Sequence, residues 1–144
     1  MRLAIALGLT VSLLVGVGAD ASQLNVPGDG TWTLIAGEAD GKALPEKLVK
    51  DGKLVIKGAE YTVRLADVGT LTGTQKLDST KGPKTIDIMD ANGPNKGKTC
   101  LGIYELKGDE FRVVFAAPGK LRPKTFATTP DSGQWMHVWK RVKE

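Results

Sequence analysis

From about residue 30 onward, apolar and polar positions alternate in short runs separated by turn residues. In YTVRLA, residues 61–66, Tyr61, Val63 and Leu65 fall on one face and Thr62, Arg64 and Ala66 on the other. A period of two is that of a strand with one buried side. The same alternation, rich in Val, Ile, Thr, Leu and aromatics, predicts eight strands, at residues 31–38, 53–57, 61–66, 70–77, 85–89, 101–106, 110–116 and 135–142. Only LPEKLVKDG, residues 44–52, supports a helical turn or two, because Pro45 suits a first helical position and Gly52 a stop.

Eight sequential strands with mostly hairpin-length connections favour an all-β fold, an eight-stranded antiparallel up-and-down barrel that removes its sheet edges by closing. A β-sandwich is the alternative. In a meander the connections alternate between two ends. The long ones, around 39–52, 90–100 and 117–134, then share one end, while KGAE and KGDE are tight turns at the other and DSTKGP is only slightly longer. This is the layout of a cup, with the short DVG connection as its irregular feature at the open end.

Ahead of the strands, MRLAIALGLTVSLLVGVGADAS carries one base, Arg2, then an apolar run from Leu3 to Val17, then Ala19-Asp20-Ala21 in the small-x-small form of a cleavage site. The run is shorter than the ~20 residues a membrane helix needs. We expect a signal peptide over residues 1–21, a single domain over 22–144, a periplasmic or extracellular destination, and no membrane span after cleavage. Cleavage takes away one base and one acid, Arg2 and Asp20, so the net charge stays +4. That charge is dispersed, without the basic block or aromatic-interleaved stripe that nucleic acid requires. Cys100 is the single cysteine, so no intramolecular disulfide forms and stability falls to the core.

GTWTL, residues 30–34, resembles the Gly-x-Trp that opens lipocalin-type barrels, and KRV places Arg141 where such barrels carry an arginine on the last strand. DGKALPE, GAEYTVRL, KGPKTIDIMDANGPNKGKTCLGIYELKGDEFRV and LRPKTF are similar, in order and spacing, to an uncharacterised lipocalin-like domain family abundant in Planctomycetes. The similarity covers residues 28–143. It implies the barrel, an exported setting, and a barrel closure in which Trp32 lies against Arg141 of the neighbouring last strand. It assigns no activity.

Several patterns raise the question of chemistry. NGPNKGKTC, residues 92–100, ends like a phosphate-binding loop, but Gly93 and Gly97 are separated by three residues where four are required, and strands rather than a helix follow. Lys98 and Thr99 are therefore expected to bind no nucleotide. His137 is the sole histidine and alternates with Trp135 and Trp139, which makes it a member of an aromatic face. One His and one Cys fall short of a zinc site. Asp87 and Glu105 are the candidate carboxylate pair for a hydrolase, although structural ion pairs give the same pattern. We expect no enzyme, no catalytic residue and no cofactor.

The function expected is that of an exported binding module for a small amphiphile with an anionic head. Its apolar body would lie among Tyr61, Tyr104 and Phe115 and its head near Arg122, where LRPK is locally basic. A competing role for Arg122 is to pin its own loop to Asp87 or Glu105. Two other classes stay open: a surface structural or protein-interaction domain whose barrel is filled, and a hydrolase built on Asp87 and Glu105.

Overall fold

A computed structural model of the chain describes residues 28–143; the expected signal peptide over residues 1–21 lies outside them. The strands are β1 Gly30–Ala39, β2 Lys42–Ala43, β3 Lys53–Lys57, β4 Glu60–Leu65, β5 Gly69–Asp78, β6 Lys84–Asp90, β7 Thr99–Lys107, β8 Glu110–Phe115 and β9 Trp135–Arg141, with one helical turn, α1 Glu46–Val49. Apart from the two-residue β2, each strand pairs antiparallel with its sequence neighbour, and β1 pairs with β9 as well as β3. The result is a closed eight-stranded up-and-down barrel. No helix among the described residues is long and apolar enough to cross a membrane.

All eight expected strands form, because at each the inward parity supplies apolar side chains. On β4 the inward residues begin with Tyr61, on β6 they are Ile86 and Ile88, and on β9 Trp135, His137 and Trp139. The sequence reading missed β2. Asp40 and Gly41 both take positive φ, 50° and 81°, and fold Lys42–Ala43 back onto Glu38 and Ala39 in a two-residue hairpin turn. Asp-Gly is the residue pair such a turn selects, so the signal was present.

The closed end is built around Trp32, which is fully buried. Its ring packs 5.5 Å from that of Phe111, and Tyr104 meets Phe111 edge-on at 6.0 Å. The indole Nε1 donates to the Gly28 carbonyl at 2.7 Å, which satisfies the one polar atom of the ring. The Arg141 guanidinium lies 4.3 Å from the Trp32 ring centre and donates to the Asp29 carbonyl at 2.7 Å. Asp109 stands 3.7 Å from the same guanidinium, so the cation over the indole is held from three sides.

Along β1 the register with β9 slips between Leu34 and Ala36. The bulge turns the exposed Ile35 outward and carries Ala39 onto the cavity side, where Trp32 and Leu34 stand before it. A side-chain carbon on Gly37 would run into Leu44, so the glycine makes the space that Leu44 occupies.

The longest connection, residues 116–134, is strapped to the outer wall. Arg122 pairs with Asp87 of β6 at 2.6 Å, the Arg112 guanidinium of β8 lies 4.4 Å from the Phe126 ring, and Thr128 donates to Glu38 through its backbone and its hydroxyl. Those two bonds, the hydroxyl first, hold the Glu38 carboxyl below its usual range. Ile103 and Val114, paired in register and buried, lie outside the inner core cluster and are covered from this side.

Trp32→Ala is expected to cost about 3–5 kcal/mol, the range for emptying a buried aromatic site. Arg141→Gln should cost about 0.5–2 kcal/mol through the lost cation–π contact. Urea denaturation measures both. A Trp32→Ala loss below about 1 kcal/mol would show that the closed end is not a packed core.

Candidate functional site

Barrel side chains are distributed unevenly. Trp32, Tyr104, Phe111 and Ile56 fill the closed half, whereas the strands toward the long-loop end contribute Ala39, Val63, Leu71 and Val113. A cavity of about 280 Å³ remains there, lined by these residues and by aromatic rings. Its walls are mostly apolar, and α1, the β4–β5 turn and the 91–98 loop reach its mouth through Leu48, Val68 and Pro94.

Aromatic rings form one wall. Phe115 and Trp135 pack with centroids 5.3 Å apart, and His137 meets Trp139 edge-on at 5.5 Å. Parity places these β9 residues together, as their alternation in the sequence implies. Burial pushes the His137 imidazole down to about 4 from its usual 6.5, against a smaller upward pull from Asp67. The ring is therefore neutral at neutral pH.

Across the cavity, three strands place a polar row. Tyr61 of β4 pairs with Gly73 of β5, and Gly73 pairs with Asp90 of β6. Because Gly73 has no side chain, the Tyr61 ring crosses β5 and its hydroxyl donates to the Asp90 carboxylate. A side-chain carbon at position 73 would collide with that hydroxyl and with the Met89 carbonyl. Burial first and the Asp90 bond second raise the Tyr61 phenol well above its ordinary value, so Tyr61 stays a donor. Cys100 is buried beside this row. Burial, then the Asp90 charge, pushes its thiol up to about 11, which leaves it an unreactive core residue at neutral pH.

The residues proposed from the sequence separate into groups. Tyr61 and Phe115 line the cavity. Tyr104 does not; it is buried in the closed half against Phe111. Of the two roles expected for Arg122, the structure shows the pinning one: the side chain lies on the outer wall rather than at the mouth, and Asp87 and the Gly102 carbonyl, at 2.6 and 2.8 Å, hold its guanidinium. The reason is strand parity: Asp87 alternates with the inward Ile86 and Ile88 and must face out, and the loop follows it. An anionic head thus finds no arginine at the cavity. Trp32 and Arg141 stand together at the closed end.

Asp87 and Glu105 do not converge on a cleft. Each has its own cation, Arg122 for Asp87 and Lys107 with Arg112 for Glu105, the latter two at 2.7 Å. The Lys107 bond first, then Arg112, hold the Glu105 carboxyl below its usual range, opposite to what a general acid needs. Among the described residues no three His, Cys, Asp or Glu side chains gather as a metal-binding group. Asp90, Asp67 and Leu48 are among the lining residues that the sequence did not single out as ligand contacts. For Asp90 the signal was available, since it continues the inward alternation of Ile86 and Ile88 by one step.

His137 gives the site a pH signature. Its folded-state pKa lies below the unfolded value, so the unfolded chain takes up the proton first. The stability of the neutral ring is complete above about pH 6.5 and is lost as pH falls toward 4, by an amount on the order of 2–3 kcal/mol. Between about pH 7 and about pH 4.5 the wild type should lose more urea stability than His137→Gln, by roughly 2 kcal/mol. Equal losses would mean that the imidazole is solvated.

No protein-family model matches the chain, and neither does any curated protein.

Proposed function

We propose that this protein is an exported lipocalin-like binding module that takes a small, largely apolar ligand into the hollow half of its barrel. The observation that carries this reading is the cavity of about 280 Å³, with its apolar walls and its mouth among the long loops. Its volume equals that of about nine waters at ~30 Å³ each, which suits a ligand of roughly ten to fifteen non-hydrogen atoms and is smaller than a typical drug-sized site. The signal-like N-terminal segment and the resemblance to exported lipocalin-like domains support the address. The filled-barrel alternative, a surface structural or interaction domain, is disfavoured by the unfilled volume. The hydrolase reading is disfavoured by the separate ion pairs that hold Asp87 and Glu105.

The test uses 1-aminonaphthalene, a fluorophore uncharged at neutral pH whose emission shifts to the blue in apolar surroundings. The protein should bind one equivalent with a Kd of roughly micromolar to tens of micromolar. Leu71→Trp, which adds bulk at a half-buried cavity position, should weaken binding by about tenfold or more while leaving the melting temperature within a few degrees. No shift in emission with the wild type, or equal binding by the variant, would remove the cavity as the site.

A further inference from the structure

Two of the residues that line the cavity are carboxylic acids, Asp90 and Asp67, and neither Lys nor Arg is among them. The one basic side chain there, His137, is kept neutral by burial. Asp90 is more than nine-tenths buried. Among the described residues its carboxylate receives a single bond, from the Tyr61 hydroxyl, and no cation pairs with it. A buried carboxylate in apolar surroundings is costly unless its remaining lone pairs are met, and met best by a positive donor. The opposite wall presents Phe115, Trp135 and Trp139, whose ring faces attract cations. The basic residues of the long loops lie outside this lining. An anionic ligand would bring a third negative charge to a site that already holds two.

We propose that the cavity selects a small ammonium-bearing ligand with an aromatic or alkyl body, its N–H donating to Asp90 and its body packed against the aromatic wall. Asp67, at the β4–β5 turn, sits at the mouth and adds to the negative potential that draws a cation inward. Tyr61 positions Asp90: its hydroxyl fixes one carboxylate oxygen and leaves the other for the ligand.

This inference rests on the cavity being a ligand site, and the experiment separates the two. Three probes share one body and differ in the head: 2-phenylethylamine, 2-phenylethanol and phenylacetate, titrated calorimetrically at neutral pH. The amine is expected to bind about 10- to 100-fold more tightly than the alcohol, the factor that a charge-assisted hydrogen bond contributes, and phenylacetate weakest of all. Asp90→Asn should reduce the amine to the affinity of the alcohol while 1-aminonaphthalene still binds. Asp67→Asn should weaken the amine by a smaller factor. If 1-aminonaphthalene binds but the wild type treats amine and alcohol alike, or prefers phenylacetate, the ammonium preference is overturned and the cavity stands. If no probe binds, both fail. The comparison of heads in the wild type needs no variant to fold.

Discussion

The first strand hydrogen-bonds to β3 over Gly30 to Thr33 and to β9 from Trp32 to Ala39, and the rest of the molecule depends on that double pairing. It converts a meander into a barrel without open edges. Where the two pairings overlap, Trp32 fills the interior, and the Arg141 guanidinium covers the indole while it is anchored to the Asp29 carbonyl. Beyond Thr33 the strand parts from β3. The space that opens is taken by the β2 hairpin and α1, with the Leu34 amide donating to the Gly52 carbonyl at 3.0 Å across it. The helical turn is thus placed at the mouth by the geometry of closure rather than by any strong helix propensity of its own, since four residues are too few to form a helix alone.

Filling one half of a barrel and hollowing the other divides two demands. Stability needs dense packing, which the aromatic cluster of Trp32, Tyr104 and Phe111 supplies. Binding needs unoccupied volume, which costs dispersion contacts along its lining. Glycine resolves the conflict at Gly73, where the missing side chain allows a tyrosine to cross one strand and reach an acid on the next. The polar row therefore sits within the wall and takes little of the cavity.

The architecture was legible in the sequence because both of its determinants are local. Alternation gives the strands, and the lengths of the connections give the two ends. The closing pair Trp32 and Arg141 was suggested by the likeness to lipocalin-type openings. Tyr61 and Phe115 were found by inward parity, and the same parity on β6 would have found Asp90 had it been followed one residue beyond Met89. For Arg122 the pinning role holds and the ligand role does not, because the long connection lies along the outer wall instead of over the mouth. Which face of the wall such a segment covers depends on a partner distant in sequence: Asp87 and Glu105 were both legible as candidates, and only the folded strands decide for Asp87. Nor does composition reveal a cavity: the difference between a filled and a half-filled barrel lies in how volumes sum across eight strands.

The 116–134 connection, tied to the outside of β6, β8 and β1, leaves the mouth to α1, the β4–β5 turn and the 91–98 loop. Its attachment divides the labour of the sequence. The strap and the closed end hold the fold together, while residues 44–49, 66–68 and 91–98 edge the cavity. Substitutions in those rim segments would reshape the mouth without touching the closing contact of Trp32 with Arg141, so entrance and frame are separable in the sequence.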